Sequence, residues 1–185
     1  MDRGIRVLVF CGSNAVSLPY HQAAERVGTA LAAHGAGLVY GAGDRGLMGS
    51  VARAVKAGGG YTLGVNPRRF HASGKHRLDN DEYILVDTIQ ERKQVMIARA
   101  DACMVLPGGI GTLDELMDVF TLRQLGFWNK PIGLLNTGGF YDGLLAFLDY
   151  MIREGFLKPG DKDALLVDDD PERLVCAVLG MVQDK

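Results

Sequence analysis

No stretch of this 185-residue chain approaches the roughly 20 consecutive apolar residues that a membrane-spanning helix needs. A membrane partner is therefore not expected. The start, Met1-Asp2-Arg3-Gly4-Ile5, passes straight from charge into strand-like apolar residues and lacks the longer apolar region and cleavage site of a signal peptide. A cytoplasmic protein is the expectation. Cysteine is scarce as well: Cys11, Cys103 and Cys176 lie far apart, odd in number and outside any CxxC arrangement. That pattern excludes a disulfide framework or a zinc knuckle and reads as reduced core residues. His21, His34, His71 and His76 show no HxxxH or paired-carboxylate spacing, so no metal is assigned. Excess charge is missing too, since a net charge of -2 offers no broad attraction for a nucleic-acid polymer or anionic lipid. One local exception is the basic group Arg68, Arg69, Lys75, His76 and Arg77. With no repeat, low-complexity tract or linker, residues 1–185 read as a single domain.

What the chain has in plenty is glycine, 25 residues of it, placed mostly where apolar runs end. Ile5 to Phe10 reads as a strand buried on both faces, closed by Cys11-Gly12-Ser13, and a helical pattern follows from Tyr20 to Ala33. Gly37 to Tyr40 is a second strand, followed by a glycine turn at 41 to 46 and a helix from Leu47 to Ala57. Tyr61 to Val65 is a third strand, ending before Pro67. Residues 67 to 82 are polar, basic and aperiodic, and read as a loop long enough to be functional. Tyr83 to Val86, Ala102 to Leu106, Pro131 to Leu135 and Ala164 to Val167 are further strands. Thr88 to Arg99, Thr112 to Leu125, Tyr141 to Glu154 and Glu172 to Val182 are helices. Short strands alternating with helices imply an α/β fold: a doubly wound, Rossmann-like parallel sheet with helices on both faces. In such folds ligands sit at the carboxyl ends of the strands near the point where strand order reverses. The three glycine turns, at 11 to 13, 41 to 46 and 107 to 111, should converge there.

Gly41-Ala42-Gly43-Asp44-Arg45-Gly46 matches GxGxxG in a strand-turn-helix context suited to phosphate. A dinucleotide site also wants an acid about 20 positions on, but that region reads Tyr61-Thr62-Leu63-Gly64-Val65-Asn66. The acid is missing and the turn follows the second strand, so an NAD cofactor is not expected. In Pro107 to Glu115, Gly108, Gly109 and Gly111 let the backbone approach a ligand, and a helix start presents free amides and partial positive charge. Thr112 to Glu115 also fits a capping box, with Thr112 capping the helix and Glu115 reaching back. Asp114 and Glu115 are about 100° apart on a helix and cannot enter one pocket as a carboxylate pair. Glu91-Arg92-Lys93 reads either as a solvated helical turn or as part of a site. No Ser or Cys stands in a nucleophile-elbow context.

These pieces stand in one order: Gly41 to Gly49, then Glu91-Arg92-Lys93, then Pro107 to Glu115. Together with Val9 to Ser13, Gln124-Leu125-Gly126 and Lys130 to Asn136, they resemble the LOG family of cytokinin riboside 5'-monophosphate phosphoribohydrolases. Members of that family were often labelled lysine decarboxylases. The resemblance implies hydrolysis of the N-glycosidic bond of a nucleoside 5'-monophosphate, a cytokinin nucleotide or AMP, to free base and ribose 5-phosphate without a cofactor. By motif position it implies Arg92 and Glu115 as the catalytic pair. Gly12, Ser13, Gly43, Gly46, Met48, Lys93, Gly108, Gly109, Gly111 and Thr112 would contact substrate or phosphate, and Asp114 would point elsewhere. A homodimer or higher homo-oligomer is implied as well. The chain departs from the family pattern at Ala42, at Ile89 and across 67 to 82, where a family acid would fall on Gly74. Base or ribose recognition would then shift to Asp79, Asp81 or Glu82. No lysine stands in a context suited to a pyridoxal Schiff base. The competing reading is a non-catalytic carrier of a nucleotide or of a phosphorylated cofactor such as molybdenum cofactor, since such carriers share the fold.

Overall fold

The structure, a computed structural model, describes residues 4–14, 16–71 and 79–183. Seven short apolar runs form one sheet, each strand hydrogen-bonded in parallel to its neighbours. They are β1 (Arg6–Phe10), β2 (Gly37–Tyr40), β3 (Thr62–Pro67), β4 (Glu82–Val86), β5 (Ala102–Val105), β6 (Ile132–Leu135) and β7 (Leu165–Asp168). The order across the sheet is β4-β3-β2-β1-β5-β6-β7. Parallel strands need a crossover between each pair, and helices supply it. The long ones are α1 (Leu18–Ala33), α2 (Gly46–Ala57), α4 (Ile89–Ala98), α5 (Ile110–Gln124), α6 (Asp142–Arg153) and α8 (Pro171–Gln183). α3 (Arg68–His71) and α7 (Pro159–Lys162) are single turns.

Successive residues of β1 feed opposite faces, as the two-residue period of a strand requires. Val7 and Val9 join a core with α1, α2 and α8, while Leu8 and Phe10 join a second core with α4, α5 and α6. Helices therefore cover both faces, and the expected doubly wound class is the observed one. The strand order reverses between β1 and β5, whose register pairs Phe10 with Val105. Beyond that pair the chain stays stitched together: Leu106 N–H donates to Phe10 O at 2.9 Å, and Gly12 N–H donates to Pro107 O at 3.0 Å. Leu47 N–H donates to Gly12 O at 2.9 Å, which brings in the start of α2. All three glycine turns thus meet at one crevice.

Several expectations need correction. The segment 67 to 82 is not one loop: Pro67 ends β3, Arg68–His71 form α3 and Glu82 begins β4. Gly74, Lys75, His76 and Arg77 lie outside the described residues. Cys11 and Cys103 are buried, but Cys176 is exposed on α8, its Sγ 3.5 Å from His34 Nε2. Helix α5 starts at Ile110 with Gly109 as its N-cap, so Thr112 caps nothing and no capping box with Glu115 forms. The glycines place the N-cap at Gly109, ahead of the Thr112 that the Thr-x-x-Glu pattern suggests. Among the described residues no helix is long and apolar enough to cross a membrane.

The tightest helix contact is that of α1 on α2 at Gly28, where an added Cβ would lie 2.5 Å from Val51 O and 2.7 Å from Ala54 Cβ. Backbone cannot yield as a flexible side chain does, so overpacking outweighs the gain in helix propensity. Gly28→Ala is expected to cost about 1–3 kcal/mol, read by urea denaturation, where an unchanged midpoint would refute the contact.

Candidate active site

Arg92 enters the crevice from the first turn of α4. That turn is fixed by its cap: Thr88 Oγ1 accepts from Glu91 N–H at 3.0 Å, and Glu91 Oε2 accepts from Asp87 N–H at 2.8 Å. Glu91 is thus a reciprocal cap, and Arg92 beside it turns inward. Its Nε donates to Val65 O at the end of β3 at 3.1 Å, and its Nη1 lies 3.5 Å from Glu115 Oε1. Both side chains of the pair are only 14% exposed. Gly41 makes this possible, since a Cβ there would sit 1.5 Å from Arg92 Nη2. Only a glycine lets the guanidinium lie against the end of β2.

Burial penalises the charged form of both partners while each favours the other's charge. For Glu115 burial dominates and lifts the carboxyl to about 7, with Arg92 opposing the rise. Burial likewise lowers Arg92 from its ordinary value, with Glu115 opposing. Cys11, in the same wall, is pushed up by burial and then by Glu115. A protonated thiol is no nucleophile.

Two chambers meet at Arg92. The first, about 400 Å³, is lined by Cys11, Gly12, Ser13, Met48, Arg92, Pro107 to Thr112 and Glu115, with Val16, Tyr20 and Phe140 forming an apolar side. Tyr20 and Phe140 stand edge to face there, ring centroids 5.9 Å apart. The amide end of α5 opens into this chamber. So does the Thr112 hydroxyl: the residue is only 4% exposed, yet its oxygen has no partner among the described residues. A Cβ on Gly109 or Gly111 would meet no protein atom within 4 Å, so these two glycines face open space. Buried hydroxyls and free amides together form an anion cradle.

The second chamber, about 860 Å³, is lined by Ser13, His21, Gly43, Asp44, Arg45, Gly46, Met48, Arg53, Asn66, Phe70 and Arg92. Gly46 has φ +56, and a Cβ on it would lie 2.6 Å from Asn14 O. It packs the start of α2 against the turn after β1.

Of the residues singled out by sequence, the structure brings together Gly12, Ser13, Gly43, Gly46, Met48, Arg92, Gly108, Gly109, Gly111, Thr112 and Glu115. It does not bring Lys93 to either chamber. Lys93 Nζ instead pairs with Asp114 at 2.9 Å and Asp118 at 2.6 Å on the outer side of α5. Asp114 points away from the crevice, as its position beside Glu115 requires. Asp81 and Glu82 are also elsewhere: Asp81 accepts from Lys56 Nζ and from Thr62 N–H, while Glu82 accepts from the Tyr61 hydroxyl and pairs with Arg99. These contacts hold them at the amino end of β4, whereas the chambers open at the carboxyl ends of β1, β3 and β5. Sequence reasoning missed Tyr20, Phe140, Arg53, Asn66 and Phe70. Only Asn66 carried a signal, as a polar residue ending an apolar strand just before Pro67.

The chain was compared with known proteins. The family described as "Possible lysine decarboxylase" matches residues 48–178. A probable cytokinin riboside 5'-monophosphate phosphoribohydrolase of Oryza sativa subsp. japonica is 43% identical over 171 residues, covering 92% of this chain and 75% of the relative. The chain belongs to the LOG family. A second LOG-family relative, the cytokinin riboside 5'-monophosphate phosphoribohydrolase of Mycobacterium tuberculosis, is 42% identical over 164 residues, covering 89% of this chain and 88% of the relative. Among solved structures, the molybdenum cofactor carrier protein of Chlamydomonas reinhardtii superposes with a TM-score of 0.76 at 20% identity, covering 99% of this chain and 100% of that one. At that identity the likeness concerns the fold.

A carboxyl raised to about 7 in the folded protein binds its proton more tightly than in the unfolded chain, where a Glu titrates near 4.3. Its contribution to stability is present at low pH and lost as pH rises through about 7. Wild type should therefore lose stability relative to Glu115→Gln between pH 5 and pH 8. Parallel pH profiles of the two proteins in denaturant melts would contradict the burial of Glu115.

Proposed function

We propose that this protein hydrolyses the N-glycosidic bond of a nucleoside 5'-monophosphate, releasing the base and ribose 5-phosphate. The single observation that carries the reading is the buried Arg92–Glu115 pair at the meeting of two chambers, one of which presents an anion cradle. The names of the relatives agree with it. The phosphate sits at the start of α5, held by the amides of residues 109 to 112 and the Thr112 hydroxyl. The ribose then reaches Glu115, and the base lies beyond it.

In this reading Glu115, as carboxylate, takes a proton from water while the water oxygen bonds to the anomeric carbon. The carbon–nitrogen bond breaks and its electron pair leaves with the base, which takes up, through water, the proton that Glu115 received, so that one water is consumed and the carboxylate is restored. A carboxylate beside the anomeric carbon stabilises the oxocarbenium-like charge that develops there. A pKa near 7 lets one group hold and release a proton at neutral pH. Arg92 keeps that carboxylate oriented and balances its charge. Lys93 acts at a distance, bracing Asp114 and Asp118 on the turn of α5 that carries Glu115. Decarboxylation through a lysine Schiff base has no support in the cleft, because no lysine among the described residues lines either chamber. A carrier of a phosphorylated cofactor would use the same cradle, but it gives no role to a carboxylate buried against an arginine.

Purified protein incubated with AMP and with an N6-prenylated AMP should release free base, followed by chromatography. Glu115→Gln and Arg92→Ala should each lower kcat/KM by at least about 100-fold. For wild type, kcat/KM should rise with pH through about 7 as Glu115 loses its proton. No release from either nucleotide would refute the hydrolase reading.

Several large apolar side chains are left exposed at the end of α5, along α6 and just after it: Leu125, Phe127, Phe147, Tyr150 and Phe156. Monomers rarely leave so much apolar surface in water. We propose a homo-oligomer using this region, for which light scattering should give at least twice the 20.0 kDa chain mass. Phe127→Glu should shift the mass toward one chain.

A further inference from the structure

Among the described residues four polar side chains are fully buried: Ser50, Thr62, Asn66 and Thr112. Two are satisfied within the protein. Ser50 Oγ meets His21 Nδ1 at 2.9 Å, and Thr62 Oγ1 accepts and donates with Asp81. The other two each line a chamber with an oxygen that no described residue bonds. Thr112 faces the anion cradle of the first chamber. Asn66 faces the second.

Asn66 lies near the end of β3, between Pro67 and Val65, whose carbonyl holds Arg92, and is 4% exposed. Its Nδ2 donates to the Tyr83 hydroxyl at 2.9 Å, and His71 Nδ1 meets the same hydroxyl at 3.2 Å. This anchor uses one of the two N–H groups of the amide and fixes which way the carboxamide turns, with Oδ1 opposite. The acceptor half, Oδ1, has no hydrogen bond to any described residue, and Asn66 lines the second chamber together with Phe70 and Arg92. We infer that Asn66 reads the base of the bound nucleotide by accepting a hydrogen bond from an exocyclic amine, as on a 6-aminopurine.

This inference rests on the hydrolase reading, with phosphate on α5 and the glycosidic bond at Glu115. From there a nucleotide has one direction left, across Arg92 toward the end of β3. The chamber it enters, about 860 Å³, is large enough for a purine. An acceptor anchored from behind discriminates by what it leaves unpaired. A base without a donor at that position buries Asn66 Oδ1 with no partner.

The test compares AMP with purine riboside 5'-monophosphate, which lacks the amine, for wild type, Asn66→Leu and Asn66→Asp. Both Kd and kcat/KM are measured, with ribose 5-phosphate as a third ligand for binding. Taking the ratio AMP to purine riboside monophosphate within each protein cancels differences in leaving group between proteins. Wild type should favour AMP, and Asn66→Leu should shrink the ratio about tenfold, the worth of one buried hydrogen bond. Asn66→Asp keeps an acceptor and should preserve the ratio. Ribose 5-phosphate affinity should not change. If Asn66→Leu does not fold, Tyr83→Phe, which frees the amide to rotate, should reduce the ratio in its place. An AMP to purine ratio unaltered in Asn66→Leu overturns the inference, as does an equal loss for ribose 5-phosphate, which would place the sugar at Asn66. If wild type binds both nucleotides but releases no base, the hydrolase reading fails while the ratio of Kd values still decides the role of Asn66.

Discussion

A guanidinium and a carboxylate stand 3.5 Å apart in a wall where each is only 14% exposed, and much of the local architecture exists to keep them there. Desolvating two charges is expensive, and their attraction repays it only when the remaining polar atoms are satisfied and the geometry is fixed. Here the Arg92 Nε is satisfied by the Val65 carbonyl and its plane is accommodated by the bare backbone of Gly41. Among the described residues Glu115 has no such supporting donor beyond Arg92, and burial raises its proton affinity. The arginine is well provided for and the carboxylate is left wanting. A group held in that condition is one that can exchange a proton during turnover.

The fold was legible because every parallel strand is buried on both faces and so reads as a continuous apolar run, with glycine marking where it stops. The site was legible in outline for a related reason. Turns that follow parallel strands all open at the same sheet edge, so Gly12, Gly43 and Gly108 were bound to meet once the strands were placed. What the pattern of residues misjudged were side-chain choices among equally spaced alternatives. Thr112 and Glu115 have the spacing of a capping box, but the helix begins at Ile110, and the two residues are buried polar groups facing a chamber instead. Lys93 follows Arg92 directly, yet adjacent positions on a helix diverge by about 100°, and two aspartates on α5 claim it. Asp81 and Glu82 were reasonable acids on charge alone. Their strand starts at the wrong end of the sheet.

Asn66 shows where local pattern runs out. Nothing in its neighbours distinguishes a strand-end asparagine that closes a turn from one that faces a ligand. The difference lies in Tyr83 and His71, one on the adjacent strand and one on the helix turn after β3, which meet it only because β3 and β4 are in register from Leu63 and Glu82 onward. Contacts of that kind belong to the assembled sheet.

One peptide unit has wider reach than its size suggests. Gly12 donates through its N–H to the loop after β5 and accepts through its carbonyl from the first turn of α2. With both ends committed, it cannot rotate without breaking a bond to one loop or the other. The three loops are therefore tied together through one peptide unit. A shift of the loop at Gly108 pulls on the turn at Gly46 through this one unit, so the two halves of the crevice are joined by backbone as well as by side chains.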